Sequence, residues 1–560
     1  MNMIRSVSRF TPWLACVVIT FFYLIDFKLV LPTLDYSSWQ ALSVSFFEES
    51  VAWLVFFSFF SLTLLGFYDL IQGRHAILRN YPVTGHLRFL FESFRPEIRQ
   101  YLIEGDRDQL PFSRTQRELV YQRSKNLSDT QAFGSIDSPY REGYEWLNHS
   151  SKPLPPLPID DLRVRVGNSQ CLQPYDLSLL NISALSFGSL SANAIMALNK
   201  GAKIGGFAHD TGEGSISPYH EKHGGDLIWE LGTAYFGCRT PDGCFDPVTF
   251  ATVAKRDQVK MIEIKMSQGA KPGRGGLLPG SKVTAEIAKT RGIPIAKDCH
   301  SPAAHTAFDS PLGLMGFIQD LRQLSGGKPI GFKLCVGHVI EWFAMVKAML
   351  ESGITPDFIV IDGSEGGTGA APVEYVDHIG MPMRDALQLV HATLVGAGLR
   401  SEIRIGIAGK IISAFDILRA CALGADWVNS GRGFMFALGC IQSRSCNTDR
   451  CPTGIATQDP YRQHALDPMD KGQRVANYHV NTLKAVAHLL GTAGLSHPRE
   501  LTAEHILRRN PQGQVETLAQ ILFNLEPGVL RTDEAAQALD CYAPGLSKIW
   551  FQARASHWHS

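Results

Sequence analysis

The stretch Phe358-Ile-Val-Ile-Asp-Gly-Ser-Glu-Gly-Gly-Thr-Gly369 runs from consecutive large apolar residues into a polar, glycine-rich loop. A short aliphatic run of this kind favours a strand covered on both faces, and the glycines after it permit positive φ and close backbone approach to an anion. The same pattern recurs on either side. Leu179–Leu185, Lys260–Lys265, Pro329–Leu334, Ile403–Ile407 and Trp427–Asn429 read as further strands, with helices at Ser191–Ile204, Val339–Ser352, Arg384–Gly396 and Ala414–Leu423. The order is β then α throughout, which predicts repeated βα units. Polar residues fall directly after the strands, at Ser186–Ser189, Lys265–Lys271, Lys333, Asp362–Gly369, Gly409–Lys410 and Ser430–Gly433. In a (β/α)8 TIM barrel all these positions meet at one mouth, so the barrel is favoured over a doubly wound sheet.

Composition limits what such a barrel serves. The chain has 560 residues, with 53 Lys plus Arg against 53 Asp plus Glu, and 45% hydrophobic residues. The charge balance offers nothing to nucleic acid, and the length accommodates a large catalytic domain with appendages. Eleven scattered cysteines lack the spacing of a secreted disulfide scaffold and read as reduced thiols in a cytosolic compartment.

The N-terminus has a different composition. Trp13–Ile25 is apolar and continues past Asp26 and Lys28 to Pro32, and Val51–Tyr68 is apolar apart from Ser58, Ser61 and Thr63. Two such runs predict a transmembrane hairpin, with Lys28 able to snorkel at the far interface. Arg5 and Arg9 precede it, Arg74, Arg79 and Arg88 follow, and the connecting loop holds Asp35, Glu48 and Glu49 but no Lys or Arg. Both ends are therefore expected in the cytoplasm, tethering the catalytic part to the inner face of the cell membrane. The prolines of Pro153–Pro158 mark a boundary. The expected domains are a hairpin at 1–75, a polar connector at 76–158, the barrel with a cysteine loop at 159–480 and a C-terminal helical extension at 481–560. An oligomer surface on that extension is compatible with its pattern.

Phosphate-compatible loops follow consecutive strands: Gly366, Gly367 and Gly369, then Gly409 and Lys410, then Gly431 and Arg432. Together they point to a bound nucleotide cofactor. Lys265, Gln268 and Lys271 share one strand-end loop and suit a small dicarboxylate, since ammonium groups pair with carboxylates and an amide fixes orientation; a solvated basic loop is the alternative. Lys333 sits among apolar residues, where an unpaired ammonium is expensive, and is predicted to meet an anion, the N1 side of a reduced flavin being a suitable one. His209, Asp210, Glu213, His220, His223, His300 and His305 are candidates for proton transfer that read better as structural groups. Cys238 and Cys244 read as unligated thiols.

Past the last loop, Cys440, Cys446 and Cys451 stand at C-x5-C-x4-C spacing. Such thiolates can wrap a soft metal centre, and a structural zinc would ask for a fourth ligand that the run lacks. Beside the barrel and its phosphate loops, the pattern points to iron–sulfur chemistry.

Ala184–Ser191, Thr211-Gly-Glu-Gly214, Ile262–Gly273, Leu278–Thr284, Gly366–Pro372 and Cys440–Gln458 occur in the order of the synthase domain of glutamate synthase, and the chain resembles its short, FMN-binding, membrane-tethered forms. The resemblance implies a barrel holding FMN and a 3Fe–4S cluster, with Cys440, Cys446 and Cys451 as cluster ligands. It implies that Ser186, Gly188, Ser189, Lys333, Gly367, Gly409 and Gly431 surround FMN, that Lys265, Gln268 and Lys271 approach the substrate, and that Glu213 orients groups near the flavin. The implied reaction is reduction of 2-iminoglutarate, from 2-oxoglutarate and ammonia, to glutamate. No amidotransferase domain and no dinucleotide fingerprint are recognisable, so ammonia is expected from solution or another polypeptide, and electrons from a donor protein or a membrane-associated donor. Another amino or keto acid as acceptor, or a membrane-bound electron-transfer or regulatory role, are the competing readings.

Overall fold

The computed structural model describes residues 9–26, 37–106, 111–369 and 371–559. Arg5, Lys28 and Asp35 lie outside the described residues, as do the side chains of Glu48 and Glu49. Two compact units divide at Gly105, inside the stretch expected to be one connector.

In the first unit, helices Thr11–Asp26 and Trp39–Ile71 pack side by side. The Trp13 indole donates to the Thr63 carbonyl at 3.1 Å, and the Thr20 and Thr63 hydroxyls meet at 3.0 Å. By length and composition, Ser50–Ile71 is one helix long and apolar enough to cross a membrane, whereas Thr11–Ile25 is shorter. A short helix, Ala76–Asn80, then leads into helix Thr84–Ile98, continued by a wider turn over Arg99–Ile103.

The second unit is built around a closed eight-stranded parallel barrel: β1 Leu180–Ile182, β2 His209–Asp210, β3 Leu227–Leu231, β4 Val259–Lys265, β5 Ile330–Leu334, β6 Phe358–Asp362, β7 Arg404–Ala408 and β8 Trp427–Ser430. Each strand pairs with its sequence neighbour, and β8 closes on β1 through Val428 opposite Leu180. β3 and β5 are buried along their whole length, as expected of strands with helices outside and packed side chains inside. The helices between them begin and end where local chemistry dictates. Ser191 caps Ala192–Gly205 by accepting from the Ala194 N–H, and Gly206 ends that helix at φ 64°. Asp357, buried before β6, accepts from the Ile330 N–H at 2.9 Å and pairs with the Arg322 guanidinium at 3.0 Å, tying the N-terminal ends of β5 and β6 together.

Three features differ from the sequence reading. Strands β2 and β3 were not anticipated: β2 has only the polar pair His209–Asp210, and β3 carries Glu230 as the fourth of its 5 residues, so neither advertises a simple apolar run. The C-terminal region is not purely helical. Ile506–Arg509 and Val515–Thr517 form an antiparallel sheet with Glu145–Leu147, a strand from the stretch in which no strand was expected. Finally, helix Pro468–Thr492 runs through residue 480, where the barrel had been expected to end, because its buried face (Val475, Tyr478, His479, Val486) continues without a break.

Candidate active site at the barrel mouth

Alternation along the strands collects charge inside the barrel. Glu263 and Lys265 lie two residues apart on β4 and so share a face; Glu230 of β3 is opposite Glu263, and Lys333 of β5 is opposite Lys265. The Lys333 ammonium touches the Glu230 carboxylate, lies 3.0 Å from Glu263 and 3.9 Å from Asp210, and all four side chains are buried. Burial pushes Asp210 well above the usual carboxyl range, Lys333 pulling it back and Glu263 and Glu230 pushing further; Glu263 is raised for the same reason. Burial alone would lower Lys333, yet the surrounding carboxylates hold it well above an ordinary lysine. The anions that Lys333 meets are thus the protein's own, and its burial does not by itself call for an anionic cofactor. Asp210, Glu230 and Glu263 bring carboxylate oxygens within 4.8 Å of one another, but the centre of the group is filled by that ammonium.

Next to this cluster lies a cationic pocket around Glu213. Lys265 donates to Glu213 at 2.9 Å and stands 3.9 Å from Glu230. Burial would raise the Glu213 carboxyl, but Lys265, with Arg291 and Lys271 behind it, holds it down to about 2. Lys271 donates to the Gly275 carbonyl at 3.1 Å, and burial lowers it. Arg291 is the residue sequence reasoning missed. Its guanidinium is buried over the Phe236 ring at 5.2 Å and donates to the Phe187 carbonyl at 3.1 Å, while its Nε has no partner among the described residues. It ends helix Ala285–Arg291, a position that reads in sequence as an ordinary helix-terminal cation. Glu213, Lys265, Gln268 and Gly275 line a cleft of about 20 Å³, while a cavity of about 420 Å³ lies at the other end of the barrel, beside Leu179 and Asp426. The convergence of charge, not room, marks the mouth as the site.

The glycine loops surround the same mouth. Among the described residues, Lys410 and Arg432 have no carboxylate within 4.0 Å, although each adjoins a glycine loop; Lys410, at φ 53°, stands over the Phe112 ring. A Cβ added at Gly367 or Gly431 would find its nearest neighbours at 3.6 Å and 3.7 Å, so the backbone there leaves a surface open to a ligand. Ser186 donates to the Ser189 hydroxyl at 3.0 Å, and Gly188, at φ 103°, offers its carbonyl to Gln458. Gly366 closes a turn onto the Gly363 carbonyl, Gly409 packs on Met383, and Gly369 abuts the cysteine loop, where a Cβ would press on Cys446 at 3.2 Å. Unpaired cations beside open glycine backbone fit a phosphate group.

The cysteine loop is held from several sides. Gln442, Arg444 and Asp449 take the left-handed region at φ 58°, 58° and 63°, which costs non-glycine residues about 1 kcal/mol each and persists only when other contacts fix it. Those contacts exist: Gln442 donates to the Phe112 carbonyl, Gln458 N–H to Asp449, and Tyr121 to the Cys440 carbonyl at 2.6 Å. The Gln442 N–H points at the Cys440 sulfur at 3.4 Å, and the Arg432 guanidinium lies 3.9 Å from that of Cys446. Burial would raise Cys451, yet backbone N–H groups of Ala456, Thr453 and Ile455 pull it below an ordinary thiol, while burial keeps Cys440 above one. Lys282, a second residue without a role in the sequence reading, is buried beneath the loop, donates to the Cys446 carbonyl at 3.0 Å, pairs with Asp449 at 3.8 Å and also acts on Cys446 and Cys451. As the side chains stand, the three sulfurs are not all within 4.8 Å of one another. N–H donors and a buried ammonium around spaced thiols fit an anionic, multi-iron cluster.

Two of the histidine candidates are held by hydrogen bonds, and the two other cysteines are free thiols. His305 is wedged between the Tyr235 hydroxyl at 3.0 Å and the Lys265 carbonyl at 2.9 Å, and burial lowers it to about 4. His220 accepts from the Ser217 N–H, and burial lowers it to about 3. Cys238 is a buried free thiol and Cys244 an exposed one.

Residues 135–496 match the family model described as the conserved region in glutamate synthase. The chain is 37% identical over 491 residues to the glutamate synthase large subunit-like protein YerD of Bacillus subtilis, an alignment covering 80% of this chain and 93% of that protein. It is 38% identical over 316 residues to the archaeal glutamate synthase [NADPH] of Methanocaldococcus jannaschii and 36% over 326 residues to the archaeal-type glutamate synthase [NADPH] of Thermotoga neapolitana; each alignment covers 56% of this chain and 59% of the relative.

Proposed function

This chain belongs to the glutamate synthase family, and from that premise we propose that it is an FMN- and iron–sulfur-dependent oxidoreductase reducing 2-iminoglutarate, formed from 2-oxoglutarate and ammonia, to glutamate. The observation that carries the reading is the Lys265–Glu213 pair at the mouth of a family barrel, with Arg291 and Lys271 adding positive charge behind it. Three cations held around one protein carboxylate make a site in which a substrate carboxylate can take over the partner. A dicarboxylate exceeds the cleft of about 20 Å³, so its entry draws Lys265 from Glu213 onto the substrate. Lys271 and Arg291 then neutralise carboxylate charge, Gln268 fixes orientation, and Glu213, released from Lys265, accepts a hydrogen bond from a substrate N–H.

Bound FMN supplies the hydride and a 3Fe–4S cluster supplies single electrons. Arg432, Lys410 and the loops carrying Gly367 and Gly431 would hold the FMN phosphate, and Cys440, Cys446 and Cys451 would ligate the cluster, with Lys282 and Arg432 offsetting its charge. A one-electron donor protein would meet the exposed Arg444 and Arg450 of the cysteine loop. The N-terminal hairpin would hold the enzyme at the cytoplasmic face of the membrane.

The test is the visible spectrum of the detergent-solubilised, reduced protein before and after 2-oxoglutarate and ammonium are added together. Flavin reoxidation with stoichiometric glutamate is expected. Bound flavin that stays reduced excludes this substrate pair, and absence of flavin removes the oxidoreductase reading.

A further inference from the structure

The helix Thr84–Ile98 and its continuation to Ile103 expose a face that water does not explain. Leu87, Leu90, Phe91, Phe94, Ile98 and Leu102 recur at helical spacing and fill an arc of about 120°. Phe91 is 63% exposed, Phe94 53% and Leu102 80%. Arg88, Arg95 and Arg99 run along one edge of that arc, Glu97 borders the other edge, and Glu92 and Ser93 lie beyond the edges. The segment is too short and too charged to cross a bilayer, but an apolar stripe edged by arginines is the build of a helix lying in the lipid interface.

A second observation fixes where this helix begins. Asp69, fully buried and two residues before the end of the apolar span at Ile71, accepts from the Val83 N–H at 2.9 Å and from the His86 imidazole at 2.9 Å. Val83, at φ 65°, reverses the chain there. The start of the amphipathic helix is thereby clasped to the end of the span. Between residues 72 and 103 the chain carries Arg74, Arg79, Arg88, Arg95 and Arg99 against only Glu92 and Glu97, which complements anionic headgroups.

We propose that Thr84–Ile103 is an in-plane membrane helix, its Leu87–Phe91–Phe94–Ile98 face sunk into the acyl boundary of the cytoplasmic leaflet and its arginines reaching lipid phosphates. The proposal rests on the reading of Ser50–Ile71 as a membrane span. It gives the enzyme a second lipid contact outside the region matched by the family, 135–496. Such a contact sets the depth of the linker that leads to the catalytic unit.

The experiment uses the full chain in vesicles of phosphatidylethanolamine and phosphatidylglycerol, with a photoreactive benzophenone side chain placed singly at Phe91, Phe94, Glu92, Ser93 or Leu64. Mass spectrometry after illumination reads the adducts. Lipid adducts are expected at Phe91 and Phe94, about tenfold above those at Glu92 and Ser93, because one face of an interfacial helix meets the acyl chains and the other meets water. Leu64, within the span, reports on the underlying reading. Lipid adducts at Leu64 with none at Phe91 and Phe94, equal yields on both faces, or adducts to the catalytic unit or a second copy overturn the in-plane helix alone. No lipid adduct at Leu64 overturns the span and the helix together.

Discussion

Replacing Lys333 by Met removes the ammonium that lies 3.0 Å from Glu263 and in contact with Glu230, while keeping an unbranched side chain of similar volume. Removing one partner of a buried ion pair costs about 3–5 kcal/mol, whereas a change of shape at similar volume costs about 1.5 kcal/mol or less. The two contributions separate by pH. Lys333 has a raised pKa in the fold, so the stability it contributes is complete below the ordinary lysine value of 10.5 and would be lost only as pH rises through its higher folded value. Asp210 and Glu263 are raised above 3.8 and 4.5, so above those values the folded state holds more protons than the unfolded chain, and their contribution falls as pH rises. Without Lys333 both carboxyls rise further. The loss should be smaller at about pH 5, where raised carboxyls take up protons more readily, than at about pH 8, where it should approach about 3–5 kcal/mol. Urea unfolding of the solubilised protein at the two pH values, followed by fluorescence of the buried Trp229 and Trp427, measures the difference. An equal loss at both pH values, or a loss below about 1 kcal/mol at the higher one, refutes the account of a carboxyl cluster held by one cation.

Glu213→Gln should destabilise the substrate-free protein by about 2 kcal/mol, the scale of a charged hydrogen bond. Because Glu213 is held down to about 2, the deficit should be present above pH 4.5 and fade as pH falls below it, which thermal unfolding across that range would show. Lys271→Met should raise KM for 2-oxoglutarate about 10–100-fold through loss of one charge-assisted contact, with flavin content unchanged; steady-state kinetics decide this, and an unaltered KM removes Lys271 from the substrate. Arg432→Met should weaken FMN retention about 10–100-fold by equilibrium dialysis, since Lys410 would be left as the phosphate's main cation. Cys446→Ser should abolish bound iron while the flavin absorbance remains; iron retained at the wild-type level would remove this thiol from the cluster.

Much of the barrel was legible because its later units obey simple rules. β5 to β8 are aliphatic runs that stop at polar or glycine residues, and the helices between them are long enough for their period to show. The early units hid themselves for a physical reason: β2 and β3 contribute Asp210 and Glu230 to a charged interior, so the residues that build the site erase the apolar signal of the strands that carry them. Position in the chain revealed Lys265, Lys271 and the cysteines, all in strand-end or glycine-flanked loops. Arg291 and Lys282 could not be found this way, because what singles them out is burial, and burial of a long cation depends on which segments fold over it. Lys333 shows the converse limit: sequence announced that a buried ammonium needs anions but could not say that three neighbouring strands supply them.

The position of Cys446 carries the strongest structural link between the two proposed cofactors. One side of it presses on Gly369, whose missing side chain leaves only 3.2 Å for a Cβ, and the Arg432 guanidinium lies 3.9 Å from its sulfur. Gly369 belongs to the loop after β6, and Arg432 follows β8, so the loops that would hold a phosphate are the ones the cysteine loop leans on. A single cation then serves both sites, and its two contributions can be separated. If Arg432 acts on the thiolate as well as on the phosphate, Arg432→Met should shift the reduction potential of the iron–sulfur centre downward, since removing a positive charge disfavours the added electron. Arg432→Lys, which keeps the charge and loses the planar fork, should restore most of the potential while leaving FMN retention impaired. A potential that does not move in Arg432→Met would confine the guanidinium to the phosphate, leaving Lys282 and the backbone N–H groups as the only compensation for the thiolates.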